Sequence, residues 1–405
     1  MDLNDFHFLQ SAAAEKLLEE AAGQDIARWA LKWNAEGLPS HALATQLKCR
    51  ERAKGKLPSW LKAGCLFEQT AFEQCSSESV ATAKPWASGK KALDLTCGLG
   101  VDAWAMSHHY ESVDCVEADV LRSQLSKFNF NRLGAHNLKV WQADAESWLR
   151  DSQQSRYDLV YIDPDRRPHG SPRRFKLEDC VPDILSLQGR LLEIAPRVLV
   201  KASPMLDIEA GLRVLHRVSH VWVMAYDGEC KELLFELNES HSAEVVPVRG
   251  VIFYRSGKWH SWAATQASTQ EPTAAPNLKY KFVYEADVSV YKAGVAPAWF
   301  ADFFAGRGLL MHPDGYFFTE EEIKNFPGRS FRILAEMEWK PKAVKAYLKS
   351  GSISEINLSR RHFDLTIEQL RKVLSIKEGG RDYLLFTKIS DGNSSKRMCY
   401  HAIRD

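Results

Sequence analysis

Two glycines, Gly98 and Gly100, stand in LDLTCGLGVDAWAM between an apolar run that ends as a strand and Val101, which opens a helix. Glycines at such a turn let the backbone approach a ligand closely, and the helix N-terminus favours anionic or polar groups there. The turn from Asp94 through Thr96 and Cys97 to Gly100 therefore reads as a nucleotide-binding turn. As G-x-G-x-x-A, ending on Ala103, it is also shared with dinucleotide enzymes, and a purely structural tight turn has the same letters. Asp94 lies inside the strand, where a dinucleotide-binding strand is apolar, and a buried carboxylate there needs partners. An ammonium group on the ligand would suit it. Glu117 ends the next strand, 23 residues after Asp94. It is placed either to accept hydrogen bonds from both hydroxyls of a ribose or to be a solvated strand-end acid. Asp144, in WQADAESW, follows the third strand, as an acceptor for an adenine amino group, as the N-cap of the next helix, or as both.

A second set of groups follows the fourth strand in YDLVYIDPDRRPHG. Asp163, Pro164 and Asp165 sit where an open α/β sheet places its ligand, outside the carboxyl ends of its central strands, although a capped turn has the same composition. The loop beyond carries Arg166, Arg167, His169, Arg173 and Arg174 with no acid until Glu178, suited to phosphate contacts or to simple solvation. Lys201 ends the fifth strand in VLVKASPMLDI, with Ser203 and Pro204 shaping the turn. It either serves the site or pairs with a neighbouring carboxylate.

The elements that must position these groups follow from periodicity. Residues 1–85 read as a helical region, with AAAEKLLEEAAG, QDIARWALKW and HALATQLKCRERA at helical spacing. From Lys91 short apolar runs alternate with amphipathic ones, the pattern of a Rossmann-like α/β sheet with helices on both faces. Strands are expected at 92–95, 113–117, 138–142, 159–162, 198–201, 221–226 and 232–237, with helices at 120–133, 182–194 and 206–215 between them. The last two strands are too closely spaced for a crossover helix and should form an antiparallel pair. The domain so defined runs over 86–262, and AATQASTQEPTAAPN (263–277) reads as a linker to an α+β region.

The 405 residues are 45% apolar and 26% charged, enough for more than one core, and 53 Lys and Arg nearly balance 52 Asp and Glu. The balance is uneven, since 340–405 holds 14 Lys or Arg against 7 Asp or Glu, a net +7. No run is long enough to cross a membrane and the start lacks a signal-peptide pattern, so a cytoplasmic protein is expected. The eight cysteines show no C-x-x-C or zinc-ligand spacing, so neither disulfides nor a metal site is expected.

This order of parts resembles a class I S-adenosylmethionine-dependent methyltransferase: D-x-x-C-G-x-G, an acid after each of the next two strands, a D-P turn after the fourth, and a closing antiparallel pair. More narrowly, EQCSSE, DLTCGLGVD, DPDRR, KASPMLD, YEADVSVYKAG, FPGR, SRRHFDL and KEGGRDYLLF resemble the bacterial THUMP-like class I methyltransferases. That family combines a helical N-terminal region, the catalytic sheet, a ferredoxin-like segment (here 278–335) and a THUMP-like module (336–405). The resemblance implies S-adenosylmethionine as cofactor and RNA as partner, through THUMP modules that elsewhere bind RNA. It implies that Asp94, Thr96, Cys97, Gly98 and Gly100 hold the methionine end, Glu117 the ribose and Asp144 the adenine. Asp163, Pro164 and Asp165 would face the acceptor, with Asp163 also beside the cofactor, and Arg166, Arg167, Arg173, Arg174 and Lys201 would bind substrate. Turns of the DLTAGLG type occur in a small-subunit rRNA guanine-N2 methyltransferase, which points toward a base amine. Base-amine enzymes usually carry N-P-P-Y or D-P-P-F/Y, however, where this chain has Asp165 and Arg166 in the last two places.

Three other readings compete. A nicotinamide-dependent oxidoreductase would share the glycine turn and Glu117. A methyltransferase-like protein without turnover would hold cofactor and RNA. A methyltransferase acting on a protein or small molecule would keep the chemistry and change the acceptor.

Overall fold

Side-chain caps start the first helices. Asp2 and Asp5 form a reciprocal capping box on α1 (Leu3–Leu9), while Ser11 caps α2 (Ala12–Ala21) and Asp25 caps α3 (Ile26–Ala35). The computed structural model describes residues 1–151, 156–166, 176–242, 244–264, 280–304, 307–310, 312–390 and 395–404. They divide into two compact units, Met1–His220 with Glu232–Val245, and Val221–Lys231 with Val246–Asp405.

In the first unit the helical N-terminal region continues through α4 (Ser40–Lys56), α5 (Pro58–Lys62), α6 (Gln69–Gln74) and α7 (Glu78–Thr82). Two buried amides fasten the segment leading to α6. Gln46 accepts from the Phe67 amide at 3.0 Å and donates to its carbonyl at 2.6 Å, and Asn129 makes the same double contact with Leu66 at 2.9 Å each way. Fully satisfied buried amides of this kind fix one chain path. Asn129 belongs to α8 (Val120–Arg132), a helix of the sheet domain, so the N-terminal segment is locked onto that domain.

The sheet strands of the Rossmann-like region are β1 (Gly89–Asp94), β2 (Tyr110–Glu117), β3 (Leu138–Gln142), β4 (Leu159–Ile162), β5 (Arg197–Ala202), β6 (Val218–Tyr226) and β7 (Glu229–Asn238), of which β6 beyond residue 220 and the first residues of β7 are grouped with the second unit. Their order is β3-β2-β1-β4-β5-β7-β6. The first five strands are parallel, and β4 is buried at all four positions, as strands covered on both faces require. β7 runs antiparallel to β5. A dinucleotide-binding sheet keeps six parallel strands ordered 3-2-1-4-5-6, so this reversed strand between the fifth and sixth separates the two folds. Asp227 and Gly228, at φ 50° and 79°, form the two-residue turn from β6 to β7, with the left-handed backbone that matches strand twist.

The second unit contains a hairpin, β8 (Val248–Arg255) and β9 (Lys258–Ala264), turned by Ser256 and Gly257. It therefore takes in chain up to 264 that was expected to close the first domain at 262, and residues 265–277 of the expected linker lie outside the described residues. Its main sheet comprises β10 (Phe282–Glu285), β11 (Leu309–Leu310), β12 (Phe317–Thr319), β13 (Arg329–Glu338), β14 (Asn357–Arg360), β15 (Asp382–Ser390) and β16 (Ser395–Arg404), in the order β11-β12-β10-β13-β16-β15-β14. β13 pairs with β10 through its first residues and with β16 along most of its length, so it spans the expected boundary at 335/336 and joins both segments in one sheet. Helices α10 (Pro341–Ser350) and α11 (Ile367–Leu374) cover one face, packing Val344, Leu348, Leu370 and Leu374 on Leu384, Phe386 and Cys399.

Candidate active site

A cavity of about 460 Å³ opens at the carboxyl ends of β1, β2, β4 and β5. Asp94, Thr96, Cys97, Gly98, Gly100, Glu117, Asp144, Asp163, Asp165 and Lys201 all line it, together with Asp102, Tyr161 and the α6 segment Ala71, Gln74 and Cys75.

The glycine turn is pinned by backbone and carboxylate contacts. Cys97 donates its amide to Val116 across the sheet, and Glu117 accepts from the Gly98 amide at 2.7 Å and the Asp119 amide at 2.9 Å. Each Glu117 oxygen keeps a second lone pair. Gly98 and Gly100 have φ of 55° and 92°, and a Cβ on Gly100 would lie 2.4 Å from the Phe130 ring. Both left-handed backbone and close packing thus demand glycine at position 100. The Cys97 thiol is buried, and its hydrogen bond to Cys115 together with burial pushes it well above the ordinary thiol range. It packs the turn rather than acting as a nucleophile.

Asp94 is 1% exposed, and burial pushes its carboxyl up to about 8 even though Oδ1 accepts from the Thr96 amide at 3.0 Å. Thr96 in turn accepts from the Asp163 amide through Oγ1 at 2.7 Å, tying the end of β1 to the end of β4. Asp163 Oδ2 accepts from Lys201 Nζ at 2.5 Å, and Lys201 lies 3.7 Å from Asp102.

Behind that pair lies a buried ionic network. Lys84, with no exposed side-chain surface, is 2.7 Å from Asp102 and 3.1 Å from Glu232, and donates to the Tyr161 hydroxyl at 3.0 Å. Tyr161 donates to Asp102 at 2.7 Å, and Ser76 donates to Glu232 at 3.1 Å. Burial works to raise Asp102, yet Lys84 and Lys201 hold it at about 2. Burial works to lower Lys201, yet the charges of Asp163, Asp102 and Glu232 hold it well above the usual lysine value. Glu232, by contrast, is raised by burial.

Asp144 is exposed, and both its oxygens engage Ser147, one accepting from the amide at 2.8 Å and the other from the hydroxyl. These bonds lower its carboxyl, so Asp144 caps α9 (Ala145–Asp151) while lining the cavity. Pro164, between Asp163 and Asp165 in the turn after β4, is buried. Asp165 is exposed, and Lys201 pairs with Asp163 instead of with it. Asp165 and Arg166 pair as a two-residue strand with Val181 and Cys180. Arg167, His169, Arg173 and Arg174 lie outside the described residues.

The chain is similar over 97% of its length to 97% of a protein from Porphyromonas gingivalis W83, described provisionally as a methyltransferase, with a TM-score of 0.80 and 24% identity. The two share one fold, with a Rossmann-like α/β sheet flanked by helices. Residues 328–403 match a family model described as THUMP domain-like, so a THUMP-like region follows that sheet in the chain. An rRNA methylase from Streptococcus thermophilus aligns with 40% of this chain and 92% of its own, at 12% identity and a TM-score of 0.29. TrmK of M. capricolum, in complex with S-adenosyl-homocysteine, aligns with 40% of this chain and 66% of its own, at 10% identity and 0.30. No curated protein matches the chain. No helix among the described residues is long and apolar enough to cross a membrane, and no His, Cys, Asp and Glu cluster among them could hold a metal ion.

Sequence reasoning missed Lys84, Asp102, Tyr161, Glu232 and Ser76. A signal existed in Asp102 and Glu232, acids set within the apolar runs VDAWAM and ELLFEL, where a buried charge requires a cation. Lys84 carries no such mark.

Proposed function

We propose that this protein is an S-adenosylmethionine-dependent methyltransferase acting on RNA. The observation that carries the reading is one cleft in which a buried carboxyl (Asp94), a glycine turn, a strand-end acid (Glu117) and an ion-paired Asp163 meet. The residues fit the cofactor. Asp94 is a deeply buried acid raised by desolvation, and a cationic ammonium would favour its charged form. Glu117 has lone pairs left for ribose hydroxyls, the Gly98–Gly100 backbone leaves room at the turn, and Asp144 would meet the adenine. When bound, S-adenosylmethionine supplies a methyl group activated by positive sulfur. The protein's part is alignment and exclusion of water.

Asp163 stands at the end of β4, with its backbone fixed by Thr96 and its carboxylate by Lys201. In this reading it orients the acceptor, and Asp163 or the Pro164 carbonyl takes the hydrogen bond of an acceptor amine as its proton leaves. A base in structured RNA would have to be unstacked to reach the cleft. The THUMP-like region and the basic stretch from Lys340 support RNA as the acceptor. The test is transfer of tritiated methyl from labelled cofactor onto total RNA from cells lacking the protein. Incorporation into RNA is expected, and incorporation only into protein or small molecules would replace the acceptor class.

A further inference from the structure

Three arginines of the second unit lie against two buried acids, and a fourth stands on the same sheet face. Glu285 and Asp287 are 2% and 1% exposed. Glu285 is ion-paired with Arg329 and, at 2.7 Å, with Arg361, whose guanidinium lies 3.7 Å from the Tyr291 ring. Arg329 also donates to Ser359 Oγ at 3.3 Å. Arg255, at the end of β8, comes no closer than 3.7 Å to Asp287, whose Oδ2 accepts no hydrogen bond. Strand register adds the fourth. Glu285 lies opposite Arg329, and Phe331 lies opposite Arg404. Because alternate residues share a sheet face, Arg329, Phe331 and Arg404 present on the same side. Arg404 is exposed, Arg329 is about one-third exposed at 32%, and Arg255 retains 18%.

We propose that Arg255, Arg329 and Arg404 form a binding site for a phosphoryl group, supplied by the backbone of a nucleic acid. Four guanidinium groups face two carboxylates, so the cluster keeps an excess of positive charge. Arg255 is held below its ordinary value by burial and, beyond that, by the like charges of Arg329 and Arg404, with Asp287 working the other way. An anion seated among the three would relieve that repulsion. Glu285 and Ser359 already fix the Arg329 plane, and planar forks fixed in advance match phosphate oxygens better than lysine ammonium groups do. The inference is independent of methyl transfer, since a catalytically inert protein would bind phosphate here equally well.

The test uses the full chain, wild type against Arg404→Gln and Arg255→Gln/Arg404→Gln, with two probes: inorganic phosphate, followed by the thermal midpoint, and a fluorescein-labelled RNA hairpin with a single-stranded tail, followed by anisotropy across a salt series. Arg404→Gln alters an exposed side chain and should keep the wild-type midpoint. The double variant should lose at least tenfold in RNA affinity, and its log-affinity against log-salt slope should fall by about 0.7, one phosphate contact on a single strand. Binding of S-adenosylhomocysteine should be unchanged, which separates this result from failure of the cofactor reading. If both probes respond to the substitutions, the site takes any phosphoryl group. If only RNA responds, it requires the polymer, and if only phosphate responds, the nucleic-acid source is wrong. Equal RNA affinity, equal salt slope and equal phosphate stabilisation in all three proteins would overturn the proposal.

Discussion

Lys201 and Asp163 face each other across adjacent strand ends, ammonium to carboxylate at 2.5 Å, with Asp102 a further neighbour of the same ammonium at 3.7 Å. One Asp163 oxygen is thereby committed to the protein, and the other remains to orient an acceptor. We expect Asp163→Ala to lower methyl transfer about a hundredfold or more, the scale of a lost positioned acid or base, with little change in cofactor affinity. Asp165→Ala should cost less. Single-turnover transfer with S-adenosylhomocysteine titrations on the same proteins checks both, and equal rates for wild type and Asp163→Ala would make the turn structural.

Glu117→Ala should weaken S-adenosylmethionine binding by about 1.5–3 kcal/mol if it holds the ribose, the range for hydrogen bonds to an ionised group. The same substitution frees the Gly98 amide that Glu117 accepts at 2.7 Å. Glu117→Gln, which keeps an acceptor oxygen, should fall between. Calorimetry showing one affinity for all three would remove Glu117 from the cofactor site.

Asp94 makes cofactor binding pH-dependent. Burial pushes its carboxyl up to about 8 from an ordinary value of 3.8, so the folded protein holds a proton through most of the neutral range. A ligand ammonium needs the carboxylate. Affinity should therefore fall about tenfold per unit as pH drops below that value, and binding at pH 7 should release a proton to the buffer. For stability the sign runs the same way as for any acid raised on folding. Between about 4 and 8 the native state binds the proton and the unfolded chain does not, so this group's contribution declines as pH rises through that window. Calorimetry in buffers of different ionisation enthalpy reads the proton, and Asp94→Asn should abolish its release.

Lys84→Met should destabilise the first unit by about 3–5 kcal/mol, because it leaves Asp102 and Glu232 buried without their nearest cation. Adding Glu232→Gln should recover part of the loss, a coupling that denaturant titration of the double-mutant cycle would measure. Additive effects of the two changes would mean that the 3.1 Å contact between them contributes nothing.

Much of the fold was legible because its strands are short buried runs between helices of clear period. The runs at 138–142 and 159–162 are the strands observed, and the helix expected at 120–133 ends one residue earlier. β1 and β2 start three residues before their apolar runs because the ladder between them continues outward through the pairs Gly89–Tyr110 and Lys91–Ser112, which hydrophobic patterning does not mark. The hairpin at 248–264 went unread although its signal is local, two strands joined by the two-residue turn Ser256–Gly257. In the site, each acid that follows a strand could be read from one-dimensional spacing, and parallel strands bring such ends together. The Lys84 network could not, because its members come from segments between Ser76 and Glu232 that meet only in three dimensions.

β16 occupies the middle of the second unit's sheet, between β13 and β15, although it is translated after both. Until Ser395–Arg404 has left the ribosome, β13 and β15 each present an unpaired inner edge, and Phe331 and Leu385 lack the Tyr400 and Ala402 side chains that share their core. Closure of this sheet is therefore a late, long-range event in biosynthesis, and the interval before it is when the nascent chain most needs shielding from edge-to-edge association.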